Sequence, residues 1–270
     1  MRRNNILIWI AEALVILVVA SSFAQADEFM YIKKKAAAGG GASTPPTYIN
    51  SASNHAYVTG TTGVAVTHGF TLANGDVLYA FYAESDDVAT AVSSSGWTQL
   101  TGAFQALGTG NDRAASILRK VITDAGSEPA SYTFLSDNIG LDGLVVIVVQ
   151  TRGANTSTPE DAAVAFSAGS DDFTPNNVDI VTATDNALVL IYHVASCADN
   201  VAATKTAGAP SGYTLATSTY EELSTSAEAF IEVAYKENTG AAGTQAIDVW
   251  TGTDDATSEW FTYAVAVKPQ

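Results

Sequence analysis

The chain has 270 residues, of which 47% are apolar and 15% charged, enough for one large domain or two small ones with a buried core. The net charge is −16, and from Tyr48 onward there are 7 basic and 25 acidic residues. Because such an acidic surface repels phosphate backbones, nucleic acid is excluded from the expected partners.

The first predicted element is an N-terminal hydrophobic helix. Two arginines precede the apolar stretch Ile6–Ala20, and Ala24-Gln25-Ala26 offers a small-x-small cleavage site. The pattern predicts that residues 1–26 are a signal peptide. Since the 18 residues from Ile6 to Phe23 would span roughly 27 Å as a helix, close to the thickness of a bilayer core, an uncleaved membrane anchor is the alternative. A start of translation at Met30 would remove both.

The second predicted element is a flexible linker over residues 27–47. Three lysines are followed by Ala, Gly, Ser, Thr and the pair Pro45-Pro46, with low hydrophobicity and no period. The composition changes near Tyr48, so the sequence predicts a single β-domain over residues 48–270.

The predicted domain repeats its own sequence, in the same order and with an offset that drifts by only a few residues. The matched segments are NGDVLYAFYAES (74–85) with DNALVLIYHVAS (185–196), SSGWTQLT (94–101) with PSGYTLAT (210–217), SILRKVIT (116–123) with EVAYKENT (232–239), SEPASYTF (127–134) with TQAIDVW (244–250), and GLVVIVVQ (143–150) with FTYAVAVK (261–268). Four further matches in order support an internal duplication of a four-strand unit, over about 70–153 and 181–269.

The repeated segments have the character of strands. Val77–Tyr82 and Leu188–Val194 are almost wholly apolar and follow turn residues, which predicts central strands. No stretch of the domain shows a helical period. Two such units would each expose an apolar face, and packing them together buries both. The sequence therefore predicts an all-β, jelly-roll-like β-sandwich of about eight main strands.

These segments also resemble a known kind of module. GDVLYAF, SGWTQL, RKVIT with SEPASYTF, and the closing YAVAVKP are similar to a β-sandwich module of uncharacterised phage virion and tail-associated proteins and of exported bacterial surface proteins. The resemblance covers roughly Tyr48–Pro269, and the linker start KAAAGGG is also similar. It implies a structural or attachment role on a particle or cell surface, and it supplies no catalytic residues.

The sequence offers few ligands for a metal or cofactor. His55, His68 and His193 form no metal-binding motif with one another or with Cys197, so ordinary polar or half-buried histidines and a buried inert thiol are expected. Acidic pairs recur at predicted loops, and calcium prefers clustered loop carboxylates, so Ca²⁺ is the one cofactor left open. The pairs are Asp86-Asp87, Asp171-Asp172 and Asp254-Asp255.

The aromatic residues allow two interpretations. Trp97 and Tyr213 each follow a Ser-Gly turn, and core anchoring is the preferred role for both. Trp250 and Trp260 are candidates for sugar-stacking platforms, although burial is the favoured alternative. No nucleophile elbow or phosphate-binding loop occurs, so an enzyme is not expected.

Two functions follow as expectations. The first is a structural or assembly subunit on an extracellular surface, either a phage virion or tail component or a cell-surface filament or adhesin subunit. Its partners would be copies of itself or other surface or virion proteins, and strands that are apolar on both faces would need such neighbours to cover them. The alternative is a secreted carbohydrate-binding module, with glycans as partners. Contact with a membrane is expected only through the N-terminal segment.

Overall fold

The computed structural model describes ten stretches of the chain: 44–59, 62–85, 92–103, 105–107, 113–136, 141–170, 178–197, 207–221, 228–251 and 259–270. Every described residue belongs to one compact unit, Thr44–Gln270. The predicted hydrophobic segment and most of the predicted linker lie outside the described residues. Across these ten stretches, no helix is long and apolar enough to cross a membrane.

The described residues form strands and no helices, which confirms the all-β prediction. About eight main strands were predicted, and the described stretches contain further short and edge strands. They are β1 (Thr47–Thr59), β2 (Val64–Thr67), β3 (Val77–Ser85), β4 (Val92–Ser93), β5 (Thr98–Gln99), β6 (Gln105–Leu107), β7 (Arg113–Val121), β8 (Ser131–Ser136), β9 (Leu141–Arg152), β10 (Ala165–Ser170), β11 (Ile180–Thr182), β12 (Leu188–Cys197), β13 (Thr214–Glu221), β14 (Glu228–Lys236), β15 (Gly243–Gln245) and β16 (Glu259–Val267).

These strands pair in two larger and two smaller antiparallel sheets. The first sheet has the order β1-β9-β3-β7-β5, with β6 also paired to β7, and the second has the order β10-β16-β12-β14-β13. A first cover sheet, β2-β8-β4, and a second cover sheet, β11-β15, complete the set. When β6 is left out and the strands are numbered along the chain within each larger sheet, both sheets have the order first, fifth, second, fourth, third.

The central strands are apolar throughout because both of their faces are buried. In β3, Val77, Tyr79 and Phe81 point into a core shared by the two larger sheets. The alternate residues Leu78 and Tyr82 point into a second core, under the first cover sheet. In β12 the same alternation divides side chains between the shared core and a third core under the second cover sheet. The sandwich therefore has four layers, and the prediction of central strands at these positions is confirmed.

This layering corrects one expectation. Strands with apolar residues on both faces were expected to need neighbouring subunits to cover them. Instead the chain supplies its own covers: Val64 and Val66 of β2 and Phe134 of β8 lie over the first sheet, and Ile180 of β11 lies over the second. The apolar character of β3 and β12 therefore gives no reason to expect a partner.

Buried tyrosines join the two larger sheets at the centre of the shared core. The hydroxyl of Tyr192 donates to the carbonyl oxygen of Tyr82 at 2.6 Å, and the rings of Phe81 and Tyr192 lie 5.2 Å apart. Burial raises the pKa of Tyr192 well above its ordinary value, so the phenol remains a donor. The middle strands of the two sheets, β3 and β12, are thereby held against each other.

A buried carboxylate closes the turn before β3. Asp76 is 1% exposed and accepts hydrogen bonds from the backbone nitrogen of Ala73 at 2.8 Å and from Nε2 of Gln150 at 2.7 Å. It also pairs with Nε of Arg152 at 2.7 Å. Burial alone would raise the pKa of Asp76, but the hydrogen bonds, that from Arg152 foremost, outweigh it and hold the pKa below its ordinary value. The start of β3 is thus fixed to the end of β9.

Candidate functional site

The larger sheets meet along two margins that differ in chemistry. We define the first seam as the contact of β5 and β7 with residues 160–164, and the second seam as the contact of β1 with β13 and β14. A pocket of about 280 Å³ opens at the first seam. Its wall is formed by residues 98–101, residues 162–164, Arg119 and Glu160.

Backbone hydrogen bonds fix both walls of the pocket. On one side, the nitrogen of Leu100 donates to the carbonyl oxygen of Ile117 at 2.9 Å, which continues the pairing of β5 with β7. On the other side, Glu160 forms a β-bridge with Val267, and the nitrogen of Asp161 donates to Ala266 at 2.8 Å. The pocket is therefore built on paired backbone from both halves of the chain.

The carboxylate of Asp161 holds the second wall in place. One of its oxygens accepts from the backbone nitrogens of Ala183, at 2.6 Å, and Thr184, at 3.0 Å. The other oxygen accepts from the Thr184 hydroxyl at 2.7 Å. Because Asp161 adjoins Glu160, these bonds restrict how far Glu160 can move relative to the second sheet.

An ion pair forms the floor of the pocket, and a fully buried phenol outside the pocket lining contacts it. Nη1 of Arg119 pairs with Oε2 of Glu160, and the hydroxyl of Tyr79 donates to Oε1 of Glu160 at 3.2 Å. The side chains of Arg119 and Glu160 are 23% and 20% exposed, so a ligand in the pocket can reach both. Burial first, and then the charge of Glu160, raises the pKa of Tyr79 well above its ordinary value. The pocket therefore presents a neutralised charge pair that the buried phenol of Tyr79 holds in place, and this pair suits hydrogen bonding to a ligand.

The second seam is closed by aromatic rings. The rings of Tyr48 in β1 and Tyr235 in β14 stack with centroids 4.2 Å apart and an interplanar angle of 11°. The backbone nitrogen of Tyr48 donates to the carboxylate of Glu237 at 2.7 Å. Further along, Nδ1 of His55 lies 3.2 Å from the hydroxyl of Thr219. Packed side chains therefore occupy the second seam, whereas the first seam holds the pocket.

His193, one of the three histidines considered as candidate metal ligands, lies in a buried acid–imidazole pair. His193 and Glu232 are neighbours across β12 and β14, with Nδ1 2.8 Å from Oε1, and their side chains are 3% and 1% exposed. The other oxygen of Glu232 accepts from the nitrogen of Gly208 at 2.9 Å, and the ring of Trp250 lies 5.4 Å from the imidazole. The pair is enclosed among side chains of the domain, so it is positioned to stabilise the fold.

The other predicted candidates lie apart from one another. His68 is largely buried, with Nε2 2.9 Å from the carbonyl oxygen of Pro129 and its ring stacked 5.0 Å from Tyr132. The backbone of Cys197 ends β12, and its side chain is outside the described residues. All three acidic pairs proposed for calcium are also outside them. Among the described residues, no three His, Cys, Asp or Glu side chains are grouped to hold a metal.

The structure confirms the favoured interpretation of two tryptophans, which is that their rings are buried. Trp250 and Trp260 are 1% and 3% exposed, so neither ring offers a face for stacking against a sugar. The ring of Trp260 lies against Gly169 in the neighbouring strand β10, where a Cβ atom would collide with it. Their burial follows from packing inside the second half, which the spacing of aromatic residues alone does not specify.

The two aromatic residues expected in the core are found there. Trp97 meets the rings of Tyr132 and Phe134 edge-on, each at 5.2 Å, and is only partly exposed. Tyr213 packs against the third core, with Nζ of Lys236 5.8 Å from its ring centre. As predicted, these two side chains anchor the Ser-Gly turns that precede them to the core.

The sequence interpretation missed Arg119 and Glu160. Arg119 was seen only as part of a repeated strand segment, although a basic residue within an apolar strand needs a carboxylate partner. Twenty-five acidic residues follow Tyr48, and no local pattern distinguishes Glu160 from the others. The partner could be identified only once the strands were placed.

No protein-family description, curated protein or solved structure matches the chain. The function is therefore inferred from the geometry of the described residues, together with the expectations set by the sequence.

Proposed function

We propose that the protein is a structural or assembly subunit on an extracellular surface, either a phage virion or tail component or a cell-surface filament or adhesin subunit. The role is non-enzymatic, and its partners are copies of itself or other surface or virion proteins. The observation that carries this proposal is the edge strand β1. Among the described strands, β1 pairs with β9 alone, so one side of a 13-residue strand is left for another chain.

Two properties of β1 support pairing with another chain. Its one irregularity in register lies between Tyr48 and Asn50, so the strand continues regularly from Asn50 to Thr59. It also carries two large apolar side chains that are well exposed, Ile49 at 40% and Tyr57 at 38%. Proteins that avoid edge pairing usually interrupt or charge such an edge, and β1 shows neither feature over this length.

We further infer that the two larger sheets arose by internal duplication. The common strand order supports this, because it extends the repeated segments to edge strands that the sequence comparison had not matched. In each half, a larger sheet with the same five-strand order packs against its own small cover sheet. We propose a jelly-roll-like sandwich in this sense. The repeated unit would then contain more strands than the four first predicted.

The proposed location follows from the N-terminal expectation. A signal peptide or anchor over residues 1–26 would place the domain outside the cell, whereas a chain beginning at Met30 would suit a virion component. Intact mass and N-terminal sequencing of native material, with electron microscopy of the same sample, decide between the two. Absence of the protein from both particles and cell surfaces would contradict the proposal.

The edge itself is tested by replacing its exposed apolar side chains. We expect the full chain to form higher oligomers with rising concentration by light scattering, and the double variant Ile49→Lys/Tyr57→Lys to lose them. The matched control is Val181→Lys/Val249→Lys, two exposed apolar residues, at 60% and 44%, that lie outside β1. A chain that stays monomeric at all concentrations, or equal loss in both double variants, would refute assembly through β1.

The second candidate is a carbohydrate-binding module. The burial of Trp250 and Trp260 removes the sequence-based support for it. The polar pocket at the first seam favours this candidate instead.

A further inference from the structure

We propose that the pocket at the first seam binds one sugar ring, or another neutral polyol of that size. This deepens the carbohydrate-binding candidate and does not depend on assembly through β1. The pocket lies on β5, β7 and the segment before β10, none of which belongs to the β1 edge.

The polar groups of the pocket match hydroxyl groups in kind. A sugar hydroxyl both donates and accepts, so a site for it needs donors and acceptors side by side. The pocket supplies a guanidinium in Arg119, a carboxylate in Glu160 and an amide in Gln99, with the hydroxyls of Thr98 and Thr101 at its margin. Glu160 has already accepted one bond on each oxygen, and each oxygen keeps a second acceptor position.

The charge of the pocket selects against an anionic ligand. The positive charge of Arg119 is met by the carboxylate of Glu160, so the floor carries no net charge. An added carboxylate or phosphate would approach Glu160 at close range, within a chain whose net charge is −16. A neutral ligand avoids this repulsion and can still use both members of the ion pair.

The size and the apolar part of the wall agree with a single ring. Pockets for drug-sized ligands span about 300–1,000 Å³, so a pocket of about 280 Å³ takes something smaller. Leu100 is buried in one wall, and Ala162, Ala163 and Val164 supply short apolar groups on the other. Such surfaces suit the C–H face of a sugar ring.

The second seam shows that the fold does not require this pocket. Arg119 and Tyr235 occupy matching places in the repeated segments SILRKVIT and EVAYKENT. At the second seam Tyr235 stacks on Tyr48 and closes the gap, whereas at the first seam the charged pair leaves it open. The open and polar pocket therefore depends on the residues at the first seam, Arg119 and Glu160 above all, and not on the strand order.

The test measures sugar binding by the full chain in two matched variants. Thr98 and Thr214 are exposed residues at matching places, on β5 and β13, and only Thr98 lines the pocket. We expect ligand-observed NMR with glucose, galactose, mannose and N-acetylglucosamine to show saturable binding of at least one sugar. Thr98→Trp should weaken it at least about tenfold, which corresponds to about 1.4 kcal/mol, and Thr214→Trp should leave it unchanged.

Three results would overturn the proposal. The first is no saturable binding of any of these sugars up to about 50 mM, which lies well above a dissociation constant of about 1 mM. The second is binding that Thr98→Trp and Thr214→Trp affect equally, which would place the site elsewhere. The third is tighter binding of glucuronate than of glucose, which would contradict a neutral ligand. Light scattering on the same samples reports assembly separately, so failure of one proposal is distinguishable from failure of the other.

Discussion

The two seams of the sandwich occupy corresponding margins of the two larger sheets, yet they are built from different chemistry. The first places a charged pair, Arg119 with Glu160, beside an open pocket, and the second stacks the ring of Tyr48 on the ring of Tyr235. The strand order is the same in both sheets. The alternation of apolar side chains along the strands therefore determines the two sheets, and side chains at the sheet margins can differ without changing the strand order.

The turns that lead into the middle strands show the same contrast. Before β3, the buried Asp76 binds Ala73, Gln150 and Arg152. Before β12, the exposed Asp185 accepts one backbone hydrogen bond, from Ala242 at 2.8 Å. The first half therefore relies on charged contacts at both its turn and its seam.

The contrast between the turns predicts the largest effect. Asp76→Asn keeps the side-chain shape but removes the charge that Arg152 and Gln150 address. Because hydrogen bonds to buried charged groups are the stronger kind, we expect the free energy of unfolding to fall by about 2 to 4 kcal/mol, measured by urea denaturation. Asp185→Asn is the matched control and should cost much less. Equal losses in the two variants would mean that the halves do not differ in this way.

The pH dependence of Asp76 sharpens the same contrast. Its pKa in the folded protein lies below the ordinary value of 3.8, so its stabilising effect is complete above that pH and is lost as pH falls through the folded value. We expect the stability curves of the native chain and Asp76→Asn to separate at neutral pH and to converge as the pH falls below 3.8 and through the folded-state pKa. A difference that is constant from neutral to acid pH would show that charge is not the cause.

Removing a ring tests the second seam. Tyr48→Ala deletes the stack on Tyr235 and part of the packing around it, and we expect a loss of about 2 kcal/mol in the free energy of unfolding. Tyr57→Ala, an exposed tyrosine on the same strand, serves as the control and should change stability little. Sugar binding at the first seam should be unaffected by either variant, and a loss of binding in Tyr48→Ala would break the separation of the two seams.

The smallest effect is expected at the first seam. Glu160→Gln weakens the contact with Arg119 but leaves the amide able to accept from Tyr79, and the pair is partly open to solvent. We expect a loss of about 1 kcal/mol, less in high salt because ions screen the pair in the native chain. Thermal unfolding at low and high salt measures this. A larger loss in the free energy of unfolding than in Tyr48→Ala would contradict this ranking and would make the ion pair the more stabilising of the two contacts.

The sequence predicted the layers better than the margins. The unbroken apolar runs of β3 and β12 indicated central strands because no other position in a sheet buries both faces. β1 was missed because Thr47–Thr59 mixes polar and small residues without a long apolar run. The tryptophans were open to two interpretations for a related reason: a large ring near a strand end suits a core as well as a surface, and only the placement of neighbours such as Gly169 decides.

The pocket was beyond sequence reasoning because its parts are joined only in space. Arg119 lies in β7 and Glu160 in the connection before β10, on opposite sides of the boundary between the halves. Arg119 lies within the repeated stretch 70–153, and Glu160 lies between this stretch and 181–269. A site assembled from side chains of two separate stretches leaves no local motif in either of them.

The common strand order also has a consequence for how the chain folds during synthesis. In each larger sheet the strand made last lies between the two made first, so β1 and β3 have no shared edge until β9 has been made. β3 can pair with β7 once residue 121 has been made, but its other edge and the partner edge of β1 stay unpaired until β9 is complete at residue 152. Such delayed, long-range pairing is slow, and it leaves one edge of the apolar strand β3 open while the intervening residues are made.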